Sequence, residues 1–383
     1  MDYQAHNAEV QAMYAAFNAG QPYRVPIILG MNPRILLLDP ARNPEGTSFE
    51  QYTWDPEIML QVQLRFRKWT RCEVVQDAEM GPPAKGWDLW VDLQNFYEAA
   101  WFGCEVRYPP DEVPYAVPLL KDDNKRLLFD RGLPDPFGGL MAHNFQVRDY
   151  FQKRKDEGFE FEGYPIASIT PAAGGTDGPF TVACCLRGAT ALCTDIYLDP
   201  DYVRELLDYI VEATIARLQA FRRQAGAALK SPAWGYADDS IALLSVETFR
   251  EFVLPHHRRL IETFSEGGEN SIHLCGDATR HFKTLRDELN VTHFDTGFPV
   301  DFGRLRADLG PEVWISGGPP VQLLRGGTPE QVEAEVKRVL GSGIMEGGRF
   351  TLREGNNVAP RTPVENLAAF YRAGRKYGAY PKV

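Results

Sequence analysis

From about residue 165 the chain alternates short apolar runs with longer stretches in which apolar positions recur every three or four residues. "YPIASIT", "SIHLC", "VTHFDT", "VWISGG" and "RFTLREG" are such runs, and polar or glycine-rich residues close them. The runs predict strands, and the stretches between them predict helices. In "LDPDYVRELLDYIVEATIARLQAF", Asp199 stands where a cap belongs and Pro200 suits a first turn. Val203, Leu206, Leu207, Ile210 and Val211 fall on one helical face. "SVETFREFVLPHHRRLIETFSEGG" is a second helical stretch, which Pro255 should kink or break. Thr328-Pro329 followed by Gln331, and Thr362-Pro363 followed by Glu365, predict two more helices opened by capping boxes.

Strand, loop and helix in repetition is the pattern of a parallel sheet. About eight such units favour a (β/α)8 TIM barrel over a doubly wound sheet, and no G-x-G-x-x-G turn follows a strand. The expected fold is therefore α/β, one domain over residues 1–383. About 1–160 form an N-terminal elaboration and 161–383 the more regular barrel portion. "GPPAKGWDLWVDLQNFYEAAWFG" and "VRYPPDEVPYAVPLL", rich in aromatics and prolines, read as elaborations over the barrel mouth.

Composition narrows the function. Hydrophobic residues at 44% and charged residues at 24% describe an ordinary globular protein. No apolar run is long enough for a membrane span, and the N-terminus reads as a helix without a secretory signal's basic start. A net charge of −11 argues against a nucleic-acid partner and disfavours a polyanionic substrate. Six scattered cysteines fit a reducing cytoplasm.

Barrel enzymes keep their chemistry where strands end. The polar residues and glycines at those ends are Asp238 and Asp239, His273 and Cys275, Asp295, Gly317 and Gly318, and Asn356. Residues 273 and 275 point to one side of a strand, so both can reach one ion, and zinc takes imidazole nitrogen with thiolate sulfur. The plain alternative is a buried cysteine beside a hydrogen-bonded histidine, since two ligands do not make a site. Adjacent His256 and His257 diverge on a helix and do not form a ligand pair. Cys184 and Cys185 read as alternating across a strand, and Arg187 after them holds either an anion or an internal ion pair. Trp54, Trp87, Trp90, Tyr97 and Trp101 line a pocket or are core.

Four segments resemble the uroporphyrinogen decarboxylase superfamily, in order along the chain. They are "GPFTVACCLRGATALCTDIYLDPDYVRELLDYI", "ADDSIALLSVETFREFVLPHHRRLIE", "HLCGDATRHFKTLRDELNVTHFDTG" and "GGRFTLREGNNVAPRTPVENLAAFYRAGRKYG". The resemblance implies a barrel bearing one of two activities: metal-free decarboxylation of a porphyrinogen, or zinc-dependent methyl transfer with a corrinoid protein. Methyltransferases of the superfamily carry His-x-Cys where His273 and Cys275 stand. The decarboxylases carry an arginine-rich N-terminal loop, of which Arg34 alone is left here. The resemblance therefore implies a methyltransferase using zinc, a corrinoid carried by a partner protein, and a small methylated or methoxy substrate or a thiol. A metal-free lyase or a non-catalytic binding relative is the alternative. The family's third ligand, a cysteine, is replaced by Asn356, and Asp295 is the expected substitute, with Asp238 or Asp239 also in reach. Asp238, Asp239, Asp295 and Asn356 are the expected catalytic residues, His273, Cys275 and Asp295 the metal ligands, and Arg187, Gly317 and Gly318 the cofactor contacts.

Overall fold

The computed structural model of the chain describes residues 1–381. Five strands, Gly235–Ala237, Asn270–Leu274, Val291–Thr296, Trp314–Gly317 and Phe350–Leu352, lie side by side in chain order, all parallel. Between them run the helices that cover a parallel sheet, among them Leu254–Phe264, Phe282–Leu289, Phe302–Leu309 and Pro329–Val339. A second parallel pair joins Trp87–Trp90 to Tyr164–Thr170. An extended run near the N-terminus meets the last strand: Ile28 N–H donates to the Leu352 carbonyl at 3.0 Å, and Leu352 N–H to that of Pro26 at 2.9 Å. One step away Arg24 bridges Ala379, so the segment after the first helix lies beside the one after the last helix at the foot of this seam. The architecture is a TIM barrel whose strand ends share one mouth.

Two expectations about the first third are corrected by this topology. "WDLW" does not elaborate the mouth, because it is a barrel strand, and the run before "LGMNP" supplies the seam. Both escape a periodicity test because each is short and flanked by prolines or glycines. The rest of this third does add structure. Helices Phe49–Trp54, Pro56–Glu73 and Leu140–Asp156 bury a second apolar cluster with Tyr52, Leu60, Leu64, Trp87, Phe151 and Ile166. Asp55 starts the long helix by accepting from the Glu57 and Ile58 amides, with Pro56 in the first turn. Trp87 and Trp101 are core, Trp90 and Tyr97 pack at its edge, and Trp54 is exposed on the ring of His143.

The helix signals fare unevenly. Asp199 caps Pro200–Gln224 through the Tyr202 amide, and Thr328 forms the capping box with Gln331. Pro255 marks a break, where a π-helical turn over Phe249–Val253 gives way to Leu254–Phe264. Thr362 caps nothing. Its hydroxyl donates back to the Ala359 carbonyl, and the helix starts at Val364 without a side-chain cap. Cys184 and Cys185 sit on a helix, Pro179–Arg187, not on a strand. That helix is set by Pro179 in its first turn and by Asp238, whose carboxylate takes the amides of Phe180 and Thr181 at 3.2 and 2.8 Å.

Candidate metal centre

Ile272 and Leu274 are buried in the main core, which turns Ser271 and His273 toward the barrel interior and leaves Cys275 at the mouth. His273 Nε2 lies 3.0 Å from Cys275 Sγ and 3.9 Å from Asp239 Oδ1. Asp239, Cys275 and His273 each offer a ligand atom, and these atoms fall within 4.8 Å of one another. The register explains it. Ala237 pairs with His273 across the parallel ladder, so Asp239 comes level with Cys275, whose amide donates to Asp239 Oδ1 at 2.7 Å. Among the described residues this is the one such group of three.

Asp295 takes the other side of the ring. It pairs with His273 on the neighbouring strand, and its Oδ2 accepts from His273 Nδ1 at 2.8 Å and from Arg353 Nη1 at 2.7 Å. The expected third ligand thus stands behind the imidazole, and Asp239 occupies the place foreseen for it. Burial pushes the Asp239 carboxyl up, whereas His273 and Arg353 overcome the burial of Asp295 and hold it below the usual range. Burial outweighs His273 at Cys275 and pushes its thiol up. For His273 the carboxylate of Asp295 and the sulfur of Cys275 overrule burial and raise its pKa to about 11.

The remaining expected residues divide. Asp238 is sealed: its oxygens also accept from the Thr181 hydroxyl at 2.7 Å and lie 2.7 Å from His257 Nε2, which makes it a structural post. Asp238→Ala strands two amides and a buried imidazole. It should cost about 2–4 kcal/mol in a urea titration. Arg187 is not at the mouth either. It is buried at the far end of its helix, bonded to Asp195, Asp122 and the Leu120 carbonyl. Gly317 and Gly318 leave no room for a ligand. A Cβ at Gly317 would strike Thr296 and Phe302, and one at Gly318 the Arg353 carbonyl, so close backbone packing explains both. Asn356 is half-buried in the loop after Phe350–Leu352. Adjacent His256 and His257 do diverge, the first to Asp208 and the second to Asp238 and Tyr236.

Asp177 escaped the sequence reading because it ends no recognisable strand. Its amide donates to Glu98 Oε2 at 2.7 Å, and its loop is tied to the next strand by Ala237 N–H on the Thr176 carbonyl at 3.2 Å. Gly178, with φ of +88°, lets this loop pass against Ala237 and Asp238, where any Cβ would clash. Burial, then Glu98, Asp239 and Asp238, outweigh the opposing charge of Arg217 and push the Asp177 carboxyl up to about 8. The folded chain therefore holds a proton there that the unfolded chain releases near pH 4. Stability from this group is full below that pH and is lost as pH rises toward 8. Asp177→Asn should raise the melting temperature at pH 9 and change little at pH 5, as thermal scans at the two pH values will show.

A family model described as uroporphyrinogen decarboxylase (URO-D) matches residues 89–377. The chain belongs to the URO-D family. Among curated URO-D relatives, a methylated-thiol–coenzyme M methyltransferase of Methanosarcina mazei is 32% identical over 283 residues, 72% of this chain and 69% of that protein. A methylcobamide:CoM methyltransferase of the same organism is 26% identical over 54% of this chain and 58% of its own length. A solved methyltransferase from Methanosarcina mazei superposes with a TM-score of 0.65 at 19% identity, covering 96% of this chain and 98% of that one, which shows the shared barrel.

Proposed function

We propose that this URO-D family chain is a zinc-dependent methyltransferase that moves a methyl group between a small methylated-thiol or methoxy compound, or a thiol, and a corrinoid carried by a partner protein. The observation that carries this reading is the convergence of His273 Nε2, Cys275 Sγ and Asp239 Oδ1 at the barrel mouth. One nitrogen, one sulfur and one oxygen make a three-residue donor set of the kind a catalytic zinc uses, with a position left for substrate. Asp295 behind Nδ1 supplies the hydrogen bond that fixes a metal-binding imidazole. The names of the methyltransferase relatives agree with it.

Zinc, when bound, supplies Lewis acidity, which lowers the pKa of a thiol or polarises a methoxy oxygen. The residues do the rest. His273 presents Nε2 because its Nδ1–H is committed to Asp295. Asp239 is held in place by the Cys275 amide. An aspartate donor from another strand, in place of the family's second thiolate, carries less softness toward the ion, which favours an oxygen leaving group. Against a porphyrinogen, Arg34 alone faces the eight carboxylates, and its guanidinium is held by the neutral side chains of Gln94 and Asn95. No helix among the described residues is long and apolar enough to cross a membrane, and six free cysteines suit a reducing cytoplasm.

The test uses zinc-loaded protein with methylcobalamin and 2-mercaptoethanesulfonate, and in reverse cob(I)alamin with aryl methyl ethers or dimethyl sulfide. Zinc-dependent interconversion of the two cobalamin spectra in either direction supports the reading. No conversion in both, or equal conversion after chelation, overturns it.

A further inference from the structure

The candidate ligand His273 is held from behind by a chain of charged groups that reaches the seam of the barrel. Asp295 Oδ2 accepts from both His273 Nδ1 and Arg353 Nη1, at 2.8 and 2.7 Å. Arg353 is anchored in turn: its Nη2 donates to Glu354 Oε1 at 3.2 Å. The fully buried Glu354 takes the Gly30 N–H on both oxygens, at 2.9 and 3.0 Å. Arg353 follows Phe350–Leu352, and Asp295 lies two strands away on Val291–Thr296, with Trp314–Gly317 between them. Arg353 Nε is buried without a partner, so the side chain is held there for the contacts its other nitrogens make.

We propose that Arg353 is a positioning residue that fixes the His273 tautomer through Asp295 and keeps the Asp295 carboxylate away from the ion. This inference rests on the metal reading above. A carboxylate this near a metal-binding ring is itself a competent zinc ligand. Both charge-assisted bonds fall on one oxygen, so turning that carboxylate toward Nε2 breaks two of them at once. With Asp295 held back, the oxygen donor is Asp239, and the ring keeps its proton on Nδ1 and its lone pair on Nε2. Gly30 belongs to the same device, because a Cβ there would run into the Arg353 guanidinium and the Glu354 carboxylate.

The experiment measures zinc affinity by competition with a chromophoric chelator, the visible spectrum of the Co(II)-loaded protein, and the ring 15N shifts of His273. Arg353→Met should weaken zinc about 10–100-fold. It should also alter the Co(II) bands as the Asp295 oxygen enters the coordination sphere, and mix the two imidazole tautomers. Arg353→Lys should recover part of the affinity, because a cation returns without the fork. Asp295→Asn serves as the second variant, and the double variant should lose no more than the worse single one. Zinc affinity within twofold of the parent, with unchanged bands and one tautomer in Arg353→Met, overturns the proposal. If the parent itself takes up neither zinc nor cobalt, the metal reading fails. The positioning proposal then falls with it, whereas zinc uptake by the parent together with an unchanged Arg353→Met variant overturns the proposal alone.

Discussion

Replacing His273 with alanine should yield a folded chain that has lost its metal and its methyl transfer together. The parent is expected to hold about one zinc per chain, and the variant close to none, by elemental analysis after gel filtration. Two reasons make this effect the largest at the site. His273 is the hub of the cluster: the sulfur of Cys275 and the carboxylate of Asp239 converge on its Nε2, while Asp295 takes Nδ1. Its removal also leaves Asp295 paired with Arg353 alone, behind an empty space. Transfer should fall by at least about 10²-fold, since losing a direct ligand costs more than the 10–100-fold seen for groups one step removed. The ring is partly solvent-exposed, so folding should survive, and an unchanged circular dichroism spectrum separates this result from misfolding. A variant that keeps its zinc would assign the ion to other residues. Asp239→Asn and Asp295→Asn should differ in the same assay, the first weakening the metal by removing a donor atom and the second by freeing the ring.

The second large effect concerns stability. Arg217, on the helix Pro200–Gln224, is completely buried, and its Nη2 meets Glu98 at 2.5 Å. Its Nη1 donates to the Ala173 carbonyl at 2.5 Å and its Nη2 to that of Gly175 at 3.0 Å, while the rings of Tyr97 and Trp101 flank it. Arg217→Met retains much of the volume but leaves the Glu98 carboxylate uncompensated in the interior. Removing one partner of such a pair costs about 3–5 kcal/mol. Urea denaturation of Arg217→Met beside the double variant with Glu98→Gln will show whether the loss comes from the stranded charge, because the double variant should then recover a good part of it. The effect should also reach the mouth, since Glu98 holds the Asp177 amide and the Thr176 hydroxyl.

The parity of a strand made His273 and Cys275 readable as a pair, and the sequential order of the later strands made the barrel readable from periodicity. The third donor was not readable. Whether Asp239 or Asp295 meets Nε2 depends on the side of His273 on which each neighbouring strand lies, a fact of register between segments about twenty to forty residues apart. The family resemblance favoured Asp295, which does adjoin His273, but from behind. The same blindness applied to Asp238, which looks like its neighbour Asp239 in "ADDS" yet is spent on the amides that open Pro179–Arg187. The cysteine pair in that segment was misjudged because "FTVACCL" is apolar enough for a strand, and only the anchoring at its first turn makes it helical. In the first third, short strands between prolines carry too little pattern to announce themselves.

The bridge between Arg24 and Ala379 lies at the start of the seam strand, on the face of the barrel opposite the strand ends. A fusion partner attached after Ala379 therefore begins on the far side from the candidate metal cluster. An artificial conjugate that carries its own cobalamin domain would need a flexible tether running the height of the barrel and over its rim. Because the span of such a tether grows only as about 5–6 Å times the square root of its length, short linkers would leave the cobalt stranded beneath the floor.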